Sequence, residues 1–174
     1  DVSGKDWSAS ALYQKCLRIT PNYIRVDADE LTYPLHVILR YRLEQSLLSG
    51  DLPIKELPSA WNDMFMKSFG FRPTNDSDGC LQDIHWYDGA FGYFPTYTLG
   101  AMAAAQLFSA ALEDEPKILT KLEKGDFSDL LDWLREHVHS WGSYYSTDEI
   151  MKRATGSPLD PSFYISHLKS RYMQ

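Results

Sequence analysis

The chain has 174 residues, enough for one sizeable core, and its 44% hydrophobic and 24% charged residues are ordinary for a globular protein, which excludes the disordered and collagen-like classes. A net charge of -7, with no long run of one sign, leaves no basic stripe to neutralise phosphates, so nucleic acid is not an expected partner. The longest apolar run, Leu99 to Ala111, is interrupted by Gly100, Gln106 and Ser109 and is too short to cross a bilayer, so no membrane is expected either.

In chain order, the opening residues Asp1 to Asp6 lack the basic and apolar regions of a signal peptide. The absence of an initiating methionine fits a piece of something longer. Trp7, Ala11, Leu12 and Cys16 have helical spacing and predict a short helix from Trp7 to Arg18, closed before Pro21. Tyr23 to Glu30 reads as an extended stretch that ends in acids. Leu31, Leu35, Ile38, Leu39, Leu43 and Leu47 recur in steps of three and four, which predicts a long amphipathic helix ending at Ser49-Gly50. Pro34 fits its start if Thr32 caps it or the first turn bends.

Asp51 to Leu57 is a connector, Pro58 opens a helix that runs to Phe69 and stops at Gly70, and Phe71 to Asp78 is a polar turn. Tyr97 to Leu112 predicts a small-residue helix whose Gly100, Ala101 and Ala103 to Ala105 suit close packing by a neighbour. A short helix is expected over Pro116 to Leu122. Asp126 caps a longer one from Phe127 to about Ser140, with Leu130, Leu131, Leu134 and Val138 on its apolar face. Ser146 to Glu149 is a capping box for a helix ending at Gly156, and Asp160-Pro161 starts the last helix. No alternating strand and no repeat appears. The fold class expected is all-α, a single helical domain.

The stretch Gly79 to Gly100 is the least generic part of the chain. It holds an amide, two carboxylates, an imidazole, an indole, three phenols, four glycines and a proline. Glycine and proline weaken a helix by roughly 1 to 3 kcal/mol each, so this is read as a loop that brings polar tips together and then feeds a helix. His85 either bonds loop backbone or does chemistry. Asp83 either fixes the tautomer of a nearby imidazole or neutralises an arginine. Tyr93 and Tyr97 are packing aromatics or functional phenols. Arg25, placed before Asp27, Asp29 and Glu30, either pairs with one of those acids, the plainer role, or presents its paired donors to an anionic ligand.

The other histidines offer less. His137 and His139 are two residues apart and make a poor metal pair, His36 reads as a bonded core or boundary histidine, and His167 as a surface residue. There is no His-Glu-x-x-His, Gly-rich phosphate loop, paired-cysteine motif or serine nucleophile elbow. Only Cys16 and Cys80 are present, far apart, which argues against a disulfide framework and for a reducing, cytoplasmic setting.

Ile24 to Asp29 matches the pattern Ile-Arg-x-x-Ala-Asp, and Gly79 to Trp86 matches Gly-x-x-Gln-Asp-x-His-Trp, in that order. By these motifs the chain resembles the thermostable metallocarboxypeptidase family, which is carboxypeptidase Taq-like. The resemblance continues through Asp29 to His36, Gly92 to Gly100 and Trp133 to His139. Family members are single helical domains of roughly three times this length, with a substrate cleft and a His-Glu-x-x-His metal site lying before the first of these motifs. The resemblance therefore implies a C-terminal portion of one larger helical catalytic domain, with the metal-binding half absent.

For the full-length parent the resemblance implies removal of C-terminal residues from peptides with a divalent metal, zinc or cobalt. Its implied partners are a peptide with a free C-terminus, the missing N-terminal half and a second copy in a homodimer. It also implies that Arg25 holds the substrate carboxylate with Tyr93 as helper, and that His85 and Tyr97 serve the oxyanion, the two tyrosines being exchangeable. Gln82 and Asp83 then orient His85 or bind substrate backbone. Arg25 and His85 are expected on one cleft, and this chain alone is expected to bind no catalytic metal and cleave no peptide. The rival readings are a helical interaction domain without catalysis, such as a degenerate paralogue, and an acidic scaffold whose central loop only packs.

Overall fold

The computed structural model describes Trp7 to Met173. The opening run Asp1 to Asp6, read above for a leader, lies outside the described residues. The described residues form eight α-helices and no strand: α1 (Ala9–Cys16), α2 (Tyr33–Ser49), α3 (Leu57–Phe69), α4 (Pro95–Asp114), α5 (Lys117–Leu122), α6 (Ser128–His137), α7 (Thr147–Thr155) and α8 (Pro161–Tyr172). Short 3-10 turns occupy Arg25–Asp27, Ile54–Glu56 and His139–Trp141. The all-helical expectation holds. None of the helices is long and apolar enough to cross a membrane, among the described residues.

The chain divides into two compact units, one reaching Thr98 and the other starting at Leu99. In the first, α2 and α3 pack around Leu39, Leu43, Trp61, Phe65 and Cys80. Phe65 stacks on Phe69 at 4.3 Å, and Tyr23 meets the edge of Phe71 at 5.0 Å. Rings in tilted and edge contact add to the area they bury, which makes this a firm floor for the loop above it. Gly70 stops α3 in the left-handed region, φ 83°, where a side chain would be strained. Gly79 is glycine for a different reason: a Cβ there would lie 3.2 Å from the Asn75 carbonyl and 3.5 Å from the Trp61 ring. The loop can therefore sit directly on the core.

In the second unit Ala111, Ile118, Trp133 and Ala154 form the core, with Leu107, Leu130 and Leu134 around it. Gln106, fully buried on α4, is its polar tie. Its Nε2 donates toward Thr155, Ser157 and Pro158, and its Oε1 accepts the Asp160 N–H at 2.8 Å. The expected capping box is present, Ser146 accepting from Glu149 N–H while Glu149 accepts from Ser146 N–H. Asp160 caps α8 through the Ser162 N–H.

Several local expectations need correction. Tyr23 to Glu30 is not simply extended, because Arg25–Asp27 closes a 3-10 turn. Thr32 makes no capping bond, and its own N–H is held by Asp29 at 2.9 Å. The α6 helix stops at His137, before Ser140, and the chain turns through His139–Trp141. The largest departure is in α2, which is not a simple amphipathic helix. It buries His36, Arg40 and Glu44 alongside Val37, Leu39 and Leu43, and leaves Leu35, Ile38 and Leu48 exposed. Residues four apart share a helix face, so those three polar side chains form one buried stripe.

Candidate functional site

The buried polar stripe of α2 and the loop from Gly79 to Phe94 build one site within the first unit. Its centre is Asp83. The Arg25 Nε and Nη2 both donate to Asp83 Oδ1, at 3.0 and 2.7 Å, and Arg40 Nε donates to Asp83 Oδ2 at 2.6 Å. Arg25 Nη1 donates to the Tyr33 hydroxyl at 2.8 Å, and Arg40 Nη1 to the His36 carbonyl at 2.9 Å. Both arginines are buried, at 6% and 0% exposure. Buried charge is unfavourable unless paired and hydrogen-bonded; one carboxylate shared by two guanidiniums provides most of that here, and Arg40 Nη2 is left buried without a partner among the described residues.

The electrostatics follow from that sharing. Burial works against the Asp83 carboxylate, but Arg40 and Arg25 outweigh it and hold the group below the usual carboxylate range. Burial also works against Arg25, and its bonds to Asp83 and Tyr33 leave it above its ordinary value. Burial pulls Arg40 down to about 10, so it too is charged at neutral pH. His36 is pushed down to about 4 by burial and by Arg40 and Arg25, and is neutral.

Of the two roles open to Arg25, its ion pair is with Asp83, 58 residues away, and not with Asp27, Asp29 or Glu30. Asp83 neutralises arginine. Gln82 braces the same turn: its Oε1 accepts the Arg25 N–H at 2.8 Å, and its Nε2 donates toward the Tyr23, Asp78 and Gly79 carbonyls. These bonds of Gln82 and Asp83 run to the chain's own groups around Arg25.

The His85 ring bonds a side chain and not loop backbone: its Nε2 lies 2.9 Å from the Tyr97 hydroxyl, and its buried Nδ1 has no hydrogen-bond partner among the described residues. The ring packs on Phe94 at 4.4 Å and on Tyr93 at 5.6 Å, while Tyr93 meets the edge of Tyr97 at 5.4 Å. The Arg25 guanidinium carbon stands 4.9 Å from the centre of the Tyr97 ring. Arg25, Gln82, Asp83, His85, Tyr93 and Tyr97 are thus brought together, with Tyr97 as the link between His85 and Arg25.

Sequence reasoning missed Arg40, Glu44 and Tyr33. The available signal was the spacing of His36, Arg40 and Glu44, three polar residues in steps of four inside an apolar run. Glu44 accepts from Trp86 Nε1 at 3.1 Å and from the Gly92 N–H. His36 is core, as expected, yet its ring nitrogens make no hydrogen bond: the imidazole sits near the Asn22 backbone without reaching bonding geometry and lies 4.6 Å from Phe69.

Among the described residues no three His, Cys, Asp or Glu side chains converge to hold a metal ion. The second unit has a hollow of about 450 Å³ lined by Asp114, Asp129, Asp132 and Glu136, with Lys117 among them. Its Asp129 is already paired with Lys121 at 2.5 Å, and its His137 is stacked on Trp133 at 4.4 Å. His167 stacks on Tyr164 at 6.3 Å and is half-buried.

Residues 2–172 match the family described as carboxypeptidase Taq (M32) metallopeptidase. Over 171 residues the chain is 43% identical to carboxypeptidase 1 of Bacillus subtilis, covering 98% of this chain and 34% of that protein. It is 41% identical to thermostable carboxypeptidase 1 of Pyrococcus furiosus, covering 89% of this chain and 31% of that one. Among solved structures it is similar to metallocarboxypeptidase 1 of Trypanosoma cruzi, with a TM-score of 0.94 and 41% identity over 98% of this chain and 36% of that chain. It is also similar to the M32 carboxypeptidase of Deinococcus radiodurans, with a TM-score of 0.91 and 38% identity over 95% of this chain and 33% of that chain. The chain spans about a third of the length of these relatives.

Proposed function

Because the chain belongs to the carboxypeptidase Taq (M32) metallopeptidase family, we propose that it is the C-terminal helical portion of one metallocarboxypeptidase catalytic domain and that it supplies the substrate-carboxylate and oxyanion side of the cleft. The observation that carries this is the chain of contacts from Arg25 through Tyr97 to His85. An exopeptidase must hold a free carboxylate and, next to it, polarise the last peptide carbonyl. These three residues put a cation and a paired imidazole and phenol side by side.

Arg25 receives the carboxylate. Its three bonds to Asp83 and Tyr33 use three of the five N–H groups of a guanidinium, which leaves one on each terminal nitrogen for a ligand. Asp83, Gln82 and Tyr33 hold it so that little side-chain entropy is lost on binding. Tyr93, half-exposed beside Tyr97, helps at the same end. His85 and Tyr97 serve the oxygen of the scissile carbonyl as it gains charge: with His85 Nε2–H donating to the Tyr97 hydroxyl, the phenol O–H is left to donate to that oxygen, and a donor already held in place needs little reorganisation at that moment.

A divalent ion, zinc or cobalt in this reading, would supply the activated water. The residues described here do not fit a ligand set for it, so its ligands belong to the rest of the protein. That remainder also covers the exposed Leu35, Ile38, Leu99 and Phe108. The free thiols Cys16 and Cys80 are compatible with a cytoplasmic setting.

The test is hydrolysis of a blocked dipeptide with a free C-terminus by the whole protein, its Tyr97→Phe variant and the isolated chain. Removing one oxyanion donor should lower kcat by about 100-fold, and the isolated chain should show no turnover and no stoichiometric zinc or cobalt binding by calorimetry. A Tyr97→Phe enzyme with unchanged kcat, or a chain that binds metal tightly and turns over, contradicts the proposal.

A further inference from the structure

We propose that Glu44 is a positioning residue: its buried carboxylate ties both ends of the segment from Trp86 to Gly92 to α2, and so sets how His85 meets Tyr97. The inference rests on the proposed function only for what His85 does once positioned. Glu44 is 3% exposed, and its two oxygens are taken by the Trp86 indole N–H and the Gly92 backbone N–H. A leucine would fill this place on α2 without the desolvation penalty of a carboxylate. What a leucine cannot do is hold two N–H donors from opposite ends of a loop.

Those ends matter because of what adjoins them. Trp86 follows His85 directly, and its ring is wedged in edge contact with Phe94 at 5.9 Å and Trp61 at 6.4 Å. Gly92 leads through Tyr93 and Phe94 into α4, whose first turn carries Tyr97. The segment also folds back on the residues just before it, with Ala90 N–H on the His85 carbonyl at 2.7 Å and Asp88 N–H on the Ile84 carbonyl at 3.0 Å. Fixing the two ends of a segment already closed on itself leaves the His85 backbone little freedom. One carboxylate therefore registers the imidazole and the phenol against each other and against the α2 stripe.

The experiment compares the whole protein with its Glu44→Gln and Leu43→Val variants. Gln keeps one acceptor and turns an NH2 toward the other donor. Leu43 is a buried neighbour in the apolar core with no bond to the loop. Three quantities are read: kcat and KM on the free-acid dipeptide, the ring NMR signals of His85, and the thermal midpoint. Misplacement of a catalytic group should cost Glu44→Gln about 10- to 100-fold in kcat, with KM within about threefold. Its His85 ring signals should shift or broaden. Leu43→Val should lower the midpoint while leaving kcat and the ring signals as they were. If Glu44→Gln fails to fold, Glu44→Asp, which keeps the charge and reaches only one donor, is read the same way. Unchanged kcat and ring signals in the Glu44 variant overturn the proposal, as does an equal kcat loss in Leu43→Val. A wild-type protein that cleaves no peptide, with the ring signals still displaced by Glu44→Gln, keeps the positioning role and removes the peptidase.

Discussion

His36 is an imidazole placed among two guanidiniums and the rings of Phe65 and Phe69 in the first unit, and it is neutral because charging it would add a third buried cation. Its value in the folded chain is about 4, below the ordinary 6.5, through burial first and then Arg40 and Arg25, with Asp83 opposing. Between those two values the unfolded chain binds the proton and the folded chain does not. The contribution of His36 is therefore complete above about pH 6.5 and is lost as pH falls toward 4, at most about 3 kcal/mol. Asp83, also held low, loses its contribution only further down, below the usual carboxylate range. Urea unfolding from pH 7 to pH 4 should show this slope in the chain and not in His36→Leu, which places an apolar group where the ring nitrogens make no bond. The same slope in both would mean that other groups titrate. Nothing in the local sequence announced this environment, since the Arg40–Asp83 pair that creates it spans 43 residues.

At the scale of elements, what could be read locally was read well and what depended on distant partners was not. Gly70, the Ser146 capping box and the Asp160 cap act through bonds two to four residues long, and each is where the sequence placed it. The α2 helix misled because periodicity assumes that the buried stripe is apolar. Here the stripe is His36, Arg40 and Glu44, satisfied by Asp83, Trp86 and Gly92 from another segment. The motif residues of the site were legible only through the family pattern, which names Arg25, Gln82, Asp83 and His85 but not the helix that supports them. Gln106 is the parallel case in α4, read as an interruption of an apolar run and found as the tie to the turn between α7 and α8. Gln106→Ala would leave the Asp160 N–H and several oxygens without their partner, at about 2 to 4 kcal/mol. A urea midpoint lowered by that energy divided by the m-value, with the m-value itself unchanged, is expected. A midpoint near that of the parent would show that water replaces the amide.

For the whole molecule, the decisive fact is that a chain spanning about a third of the length of its carboxypeptidase relatives carries both family motifs and, among the described residues, no metal ligand set. Apolar residues on α2 and α4 stay open, among them Ile38, Leu48 and Leu99, and a Cβ at Gly100 would meet nothing within 4 Å. Such surface suits burial against the remainder of the same protein. The central proposal is that this chain receives the free end of a peptide substrate, and Arg25→Lys in the whole protein tests it most directly. Lysine keeps the charge and loses the paired donors. The measurement is kcat/KM on one blocked dipeptide as the free acid and as the C-terminal amide. A loss of about 10- to 100-fold on the acid, equivalent to about 1 to 3 kcal/mol, with the amide nearly unaffected is predicted. Equal losses on both substrates would contradict it and leave Arg25 as the structural partner of Asp83.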